Sequence, residues 1–159
     1  MYNKHNLAIH KVASKSTIRP EMATVAFYGN RTVATDSFRL IEISASGVAH
    51  DPILIGKDHV ARLKLKGKET VGETSFPDGV VDGNYPDIDA LYEKHKDRTS
   101  TSIIINGAYL AEVLSIVSKL DKFSRVTLSF GEGICDPIII TAESKDGTQT
   151  AKALLMPIK

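Results

Sequence analysis

The sequence of 159 residues has a single cysteine, no tryptophan and no long apolar run. With only Cys135 available, an intramolecular disulfide is excluded, which suits a reducing cytosol. The longest apolar runs have the length of a strand, far short of the roughly 20 residues that a membrane-spanning helix needs. Residues 1–11 lack the apolar stretch of a signal peptide. We therefore expect a cytoplasmic protein without membrane contact.

Neither sign of charge dominates, because 20 basic residues face 19 acidic ones and the net charge is +1. The chain thus lacks the overall basic excess of many nucleic-acid-binding proteins. Any contact with DNA must come from local clusters of lysine and arginine and will weaken with salt. Hydrophobic residues make up 42% of the chain, enough to bury a core, which excludes a disordered protein.

Recognisable catalytic and metal-binding motifs are missing as well. The five histidines fall into no metal-ligating spacing. The aspartates of the glycine-rich stretch 78–89 lack the alternating pattern of a calcium loop. An enzyme using Asp36, a histidine or Cys135 remains an alternative, but a nucleophile needs a base and an orienting partner that no motif supplies. We predict a protein that is not an enzyme and has no metal or cofactor.

Hydrophobic patterning predicts an α+β chain. In the first half we predict a strand running into a short helix at residues 7–15 and a hairpin around Gly29-Asn30 at residues 24–34. Two further strands are predicted at 38–44 and 52–55, and a short helix at 91–97. Residues 58–69 fit a helix or an alternating strand equally well. Residues 69–90 form a turn-rich stretch.

The second half has the clearer pattern. Asn106 is a good helix N-cap, and apolar residues recur at helical spacing over 107–120. Strands are predicted before and after this helix, at residues 101–105, 126–130, 137–142 and 150–157, with a hairpin turn at Asp146-Gly147. The order strand, helix, three strands recurs loosely in the first half and indicates an internal repeat. Helices on one face of an antiparallel sheet then give an α+β fold.

A polar segment interrupts a strand pair at residues 35–39, with the sequence Thr-Asp-Ser-Phe-Arg. Acids and hydroxyls in such a break invite a catalytic interpretation. They also suit a turn, in which the carboxylate of Asp36 accepts hydrogen bonds from backbone amides.

Four segments together resemble one family. Residues 31–40, RTVATDSFRL, resemble the RTVATDGHRL segment of bacterial sliding clamps, the DNA polymerase III beta subunit. Residues 81–87, VDGNYPD, are similar to the family's VDGRFPD segment. Residues 104–120 are similar to the strand and helix of the last clamp half-domain, and residues 153–159 resemble the closing VVMPMRL. The four segments follow the family order.

The resemblance implies a much shortened sliding-clamp (processivity) fold of βαβββ units, with antiparallel sheets and helices on one face. A family chain has three domains of two such units, and two chains close the ring. Here we expect a first clamp-like half-unit at 1–50, a shortened connecting unit at 51–98 and a second half-unit at 99–159, together one compact domain. Ser37-Phe38 stands where the family has Gly-His.

The resemblance also implies a hydrophobic pocket for short linear motifs of polymerases and repair proteins. By match, its residues are Thr35, Ser37, Phe38, Arg39, Leu40, Leu154, Met156, Pro157 and Ile158. An extended peptide would bury one or two apolar anchors there. Whether Phe38 points outward as an anchor site or inward as a core residue stays open.

The second implied function is to encircle double-stranded DNA through contacts with phosphates that do not depend on sequence. The DNA-facing candidates are Lys11, Lys15, Arg19, Lys119, Lys122 and Arg125. A chain this short must form a homo-oligomer to close a ring, with four or six copies matching the twelve units of the family. The alternative is a clamp-derived module without a ring, such as one encoded by a phage or mobile element, that binds or competes for clamp-binding peptides.

Overall fold

The computed structural model describes most of the chain, in the ranges 1–16, 18–94, 102–120, 125–133 and 135–158. The chain divides into an amino-terminal unit, Met1–Lys94, and a carboxy-terminal unit, His95–Lys159. Each unit has its own antiparallel sheet and its own apolar core. The mixed architecture of antiparallel sheets with a few helices confirms the predicted α+β class.

The amino-terminal unit contains four strands and three helices. The elements are α1 (Lys4–Ala8), β1 (Thr24–Phe27), β2 (Arg31–Thr35), β3 (Leu40–Ser44), β4 (Ile53–Gly56), α2 (Lys57–Arg62) and α3 (Ile88–Lys94), with short 3₁₀ turns at Ile9–Lys11, Pro20–Ala23 and Glu73–Ser75. The strands pair antiparallel in the order β3-β2-β1-β4. β4, which lies in the stretch 51–98, therefore belongs to the same sheet as β1 to β3.

An aromatic cluster lies at the centre of this unit. The ring of Phe27 packs edge-on against Tyr2, with centroids 4.7 Å apart, and lies 5.5 Å from Phe76. Leu7 and Val60, on α1 and α2, pack into the same core. One face of the sheet is thereby sealed by helices, because alternate residues of each strand point to that face.

The predicted strand at the start of segment 7–15 is wrong, since a helix already begins at Lys4. Asn3 caps it: its side chain accepts hydrogen bonds from the amides of His5 and Asn6, and the Asn6 side chain accepts one from the amide of Asn3. This reciprocal arrangement is a capping box. Extended pairing is confined to Tyr2, which forms an isolated bridge with Val71.

The carboxy-terminal unit packs one long helix against three strands. Its elements are α4 (Gly107–Val117) with a 3₁₀ turn (Ser118–Leu120), β5 (Thr127–Ser129), β6 (Ile138–Glu143) and β7 (Thr150–Leu155). The strand order is β5-β6-β7. Val117 of α4 packs with Ile138, Ile140 and Leu155. The predicted N-cap is confirmed, because the Asn106 side chain accepts hydrogen bonds from the amides of residues 108 and 109.

One strand predicted in this unit is absent, and another ends earlier than predicted. Residues 102–105 form no strand; Ile103 and Ile105 pack against the core, and the carbonyl of Ile104 accepts one hydrogen bond, from the amide of Ile158, at 2.8 Å. β7 ends at Leu155 rather than at Pro157, which has no amide hydrogen to continue a ladder. Within the described part of the chain, every helix is too short or too polar to cross a membrane.

Candidate functional site

The polar segment at 35–39 connects β2 to β3 as a tight loop. Asp36 organises it: one carboxylate oxygen accepts hydrogen bonds from the amides of Phe38 and Arg39, at 3.1 and 3.0 Å. The other oxygen pairs with the guanidinium of Arg39 at 3.0 Å. Partial desolvation opposes ionisation of this carboxyl, but the two amides and Arg39 outweigh it and lower the pKa of Asp36. The expected turn-forming role of Asp36 is confirmed.

Thr35 and Ser37 complete the loop. The buried hydroxyl of Thr35 donates a hydrogen bond to the carbonyl of Arg39 at 2.9 Å and accepts one from the amide of Ser37 at 3.2 Å. Ser37 has a φ of 76°, and among the described residues it is the one non-glycine with positive φ. This is the left-handed region, which favours glycine. The serine therefore stands at the position where a glycine would be least strained.

Phe38 lies at the tip of this loop and points outward, with 97% of its surface exposed. Arg39 beside it is exposed, and Leu40, the first residue of β3, is half-buried. A fixed loop thus presents an aromatic ring to solvent instead of adding it to the core. The orientation left open by the sequence is settled as outward.

The four carboxy-terminal candidates lie in and after β7. Leu154, Met156 and Ile158 expose 61%, 63% and 49% of their surfaces, whereas Pro157 is half-buried. Leu155 between them points inward to the core of its unit. This alternation follows from the pleat of the strand. The carboxy-terminal unit therefore presents a short apolar stripe to solvent.

The predicted DNA-facing residues of the amino-terminal unit, Lys11, Lys15 and Arg19, are all exposed. Lys11 belongs to the 3₁₀ turn after α1, and the other two lie in the loop that follows. Only Lys11 therefore lies on a helical element.

Lys11 shares a groove of about 230 Å³ between α1 and α2 with two lysines that the sequence interpretation did not assign to DNA. Lys4, Lys64 and His10 line the groove together with Lys11, and apolar residues such as Leu7 and Val60 form its floor. No acidic residue lines it within the described residues. Lys4 and Lys11 are seven residues apart, a spacing that places two side chains on the same face of a helix. This signal could be used only if the helix was predicted to begin at Lys4.

In the carboxy-terminal unit, Lys119 is exposed in the 3₁₀ turn that follows α4, and Arg125 is exposed just before β5. Lys122, the third candidate there, lies outside the described residues. Lys119 also follows the carboxyl end of α4, where a cation interacts favourably with the helix dipole.

Arg31 ties helix α3 to the sheet. Its guanidinium makes two hydrogen bonds with the carboxylate of Asp89, at 2.8 and 2.7 Å, and lies 4.7 Å from the centre of the Tyr28 ring. Glu42 on β3 approaches the same guanidinium at 3.7 Å. The Arg31 hydrogen bonds lower the pKa of Asp89. The start of β2, and through it the hairpin that carries Phe38, is thereby fixed to α3.

A second polar cluster, which sequence reasoning missed, joins three distant segments. The buried hydroxyl of Tyr2 donates to the Glu73 carboxylate and accepts from the amide of Gly29 at 2.8 Å. His50 contacts the same Glu73 oxygen at 3.1 Å through Nε2 and the carbonyl of Asp51 at 2.6 Å through Nδ1. The Asp51 carbonyl and the Glu73 carboxylate raise the pKa of His50. Among the described residues, no cluster of side chains suits a metal ion.

No protein-family model matches the sequence, and no curated protein matches it. Solved structures do match. A chain assigned as a DNA polymerase III beta subunit from Eubacterium rectale is 12% identical, with a TM-score of 0.57 over 96% of this chain and 47% of its own. The DNA polymerase III subunit beta of Borrelia burgdorferi, solved with a natural product, is 13% identical, with a TM-score of 0.61 over 95% of this chain and 44% of its own.

This chain therefore spans less than half the length of the solved chains that it matches. Identity this low establishes the fold and leaves activity and partners to be argued from the residues. The fold of this chain is similar to that of the sliding-clamp domains of DNA polymerase III beta subunits.

Proposed function

We propose that the protein is a sliding-clamp-like processivity factor, in which several copies form a ring around duplex DNA and tether partner proteins. The observation that carries this proposal is the clamp fold itself, which extends over 96% of the chain in one comparison and 95% in the other. A chain covering less than half of a beta subunit needs more copies than a beta subunit does to close a ring. The proposed role is mechanical tethering in replication, without a catalytic step.

The ring is tested by the mass of the protein in solution. Native mass spectrometry and light scattering at micromolar concentration should give a closed oligomer, four or six times the 17.3 kDa of one chain. A monomer under these conditions would contradict the ring. It would favour the alternative, a clamp-derived module that binds clamp-binding peptides by itself.

We propose that cations around the α1–α2 groove, such as Lys11 and Lys64, contact the phosphates of the DNA. A residue that contacts one phosphate contributes about one unit to the slope of log affinity against log salt. Lys64→Ala should therefore weaken binding to any duplex sequence equally and reduce this slope by about one. Lys145→Ala, in the exposed β6–β7 turn, is the matched control. An unchanged slope in Lys64→Ala would remove this residue from the interface.

Partner tethering is proposed to use exposed apolar residues of each unit. In the amino-terminal unit these are Phe38 and its loop neighbours Thr35, Ser37, Arg39 and Leu40. In the carboxy-terminal unit they are Leu154, Met156 and Ile158, with Pro157. Exposed apolar side chains on fixed backbone are suitable contacts for an extended peptide. Truncating one anchor typically costs about 1–2 kcal/mol, which weakens binding roughly tenfold.

A fluorescent clamp-binding peptide should accordingly bind the wild type, and about tenfold more weakly Phe38→Ala or Met156→Ala. Val48→Ala removes a residue that is 87% exposed and lies outside both segments, so it should leave affinity unchanged. Equal affinities for all four proteins would contradict the assignment of these residues.

A further inference from the structure

The groove between α1 and α2 has two kinds of lining. Lys4, Lys11 and Lys64 form its rim, and all three are exposed. Its floor is apolar, and Leu7 and Val60 there are almost completely buried. In the part of the chain that the structure describes, no carboxylate lines the groove beside the three ammonium groups. The groove therefore combines a cationic rim with an apolar interior.

The spacing of residues across α1 and the 3₁₀ turn after it explains this arrangement. Lys4, Leu7, Ala8 and Lys11 follow one another at i, i+3, i+4 and i+7, which places their side chains on one helical face. Lysine stems cover apolar surface while their ammonium groups stay in water. The two lysines thus lie at the ends of this face, and the apolar residues lie between them.

Small side chains keep the groove open. Ala8 on α1 and Ala61 on α2 both line it, and Ala8 is exposed, so a larger side chain there would extend into the groove. Pockets that enclose small molecules have volumes of roughly 300–1,000 Å³. The groove, at about 230 Å³, is smaller than these. Its size suits one large side chain of a peptide better than a cofactor.

Duplex DNA would leave part of this lining unused. Lysine ammonium groups reach phosphates from the rim, and a phosphate has no apolar group to place on the floor. An acidic peptide with one large apolar side chain would use both parts. Its carboxylates would lie near the lysines, and its apolar side chain would be buried between the helices.

We propose that the α1–α2 groove binds an acidic segment of a partner protein through one large apolar anchor. The anchor packs on Leu7 and Val60, and carboxylates before and after it pair with the lysines of the rim. This inference goes beyond the proposed function because it requires no ring, and it gives the cations proposed for DNA a second ligand. Since both ligands use Lys11 and Lys64, the acidic segment and duplex DNA should exclude each other.

A pair of peptides tests the groove. The probe is a short fluorescent peptide with a phenylalanine between glutamates, and the comparison peptide has alanine in place of the phenylalanine. We expect the first to bind the wild type with a Kd on the order of 100 μM and the second to bind at least about tenfold more weakly. Peptide binding should shift the amide NMR signals of residues 4–11 and 60–65. No binding of the first peptide, equal binding of both, or shifts confined to other segments would overturn the proposal.

Ala8→Leu separates the peptide from DNA. Leucine at this position fills the groove and leaves every lysine in place, so peptide affinity should fall at least about tenfold while DNA affinity stays the same. Ala111→Leu makes the same change at an exposed position of α4 and should bind the peptide like the wild type. Circular dichroism checks that both variants are folded, and the NMR shifts of the wild type need neither variant. Undiminished peptide binding by folded Ala8→Leu would contradict the position of the anchor.

Competition identifies the occupant. Displacement of the peptide by duplex DNA supports the shared use of Lys11 and Lys64, whereas simultaneous binding of both ligands contradicts it. Dodecanoate is an anionic amphiphile without a peptide backbone. If dodecanoate shifts the amides of the groove and the peptide does not, the groove binds a lipid and the proposal is wrong.

The outcomes also separate this inference from the proposed function. A protein that binds the peptide in the groove but neither assembles nor binds DNA supports the inference and contradicts the proposed function. A DNA-binding oligomer that does not bind the peptide contradicts the inference alone.

Discussion

Replacing Ser37 with glycine should stabilise the amino-terminal unit. Ser37 holds a φ of 76° in the loop that carries Phe38. A non-glycine residue in this region costs about 1–2 kcal/mol because its Cβ crowds the following carbonyl. Glycine removes this strain but loses about 0.4–1 kcal/mol because its unfolded chain is freer. The difference predicts a gain of about 0.5–1 kcal/mol in the free energy of unfolding.

The gain is large enough to measure. For a unit of this size, 1 kcal/mol corresponds to about 4–8 °C in Tm, so Ser37→Gly should raise the Tm by roughly 2–8 °C. Ser37→Val should lower it, because a β-branched residue fits this backbone worse than serine. Urea unfolding followed by circular dichroism gives the same comparison at a fixed temperature.

Ser46→Gly is the matched control, because Ser46 is exposed in a nearby loop and lies outside the left-handed region. Glycine there relieves no strain and should lower stability by a few tenths of a kcal/mol to 1 kcal/mol. The reasoning from backbone strain is refuted if Ser37→Gly is no more stable than the wild type, or if it loses stability as Ser46→Gly does.

Three further predictions concern the two units. Both ring nitrogens of His50 face acceptors, the Asp51 carbonyl and the Glu73 carboxylate, so the folded state favours the imidazolium and the pKa of His50 is raised. Its contribution to stability should be complete below the ordinary pKa of histidine, about 6.5, and should disappear as the pH rises through the folded pKa. The urea midpoint should therefore fall more between pH 5.5 and 8.5 in the wild type than in His50→Gln. An equal dependence of the midpoint on pH in the two proteins would exclude a contribution of His50 protonation to stability. Phe27→Ala, at the centre of the aromatic cluster, should cost about 3–5 kcal/mol and unfold the amino-terminal unit at lower urea concentration, whereas a cost below 1 kcal/mol would show that this cluster does not hold the unit together. Asn106→Ala should lower the helical signal and stability by about 1 kcal/mol through loss of the N-cap, while Asn30→Ala, an exposed asparagine in the β1–β2 turn, serves as a comparison that leaves α4 intact.

Local signals were sufficient where one element determines its own structure. Helix α4 has a helical apolar period and an N-cap at Asn106, so its existence follows from neighbouring residues alone. The β1–β2 hairpin was readable for the same reason, because Gly29 takes a φ of 79° at the turn. Asp36 likewise bonds amides only two and three residues away. Each of these predictions depended on contacts within a few positions.

Predictions that depended on distant partners were less successful. Residues 103–105 have strand-like side chains, but a strand also needs a partner along its edge, and the pattern alone cannot show whether one exists. Helix α1 has five residues, too few for a period to be recognised, and its start depends on the two asparagines of the capping box. The Tyr2–Glu73–His50 cluster joins residues far apart in the chain, so no local motif marks it.

The loop at residues 36–39 keeps its conformation although serine occupies the left-handed position. Its polar contacts explain how: Asp36 and Thr35 together make hydrogen bonds to the amides of Ser37, Phe38 and Arg39 and to the Arg39 carbonyl. These bonds are local and remain when residue 37 changes, so glycine there should relieve strain without moving Phe38. Ser37→Gly can therefore separate stability from recognition. If Phe38 is a contact for peptides, Phe38→Ala should lower peptide affinity and leave Tm nearly unchanged, whereas Ser37→Gly should raise Tm and lower affinity less than Phe38→Ala does.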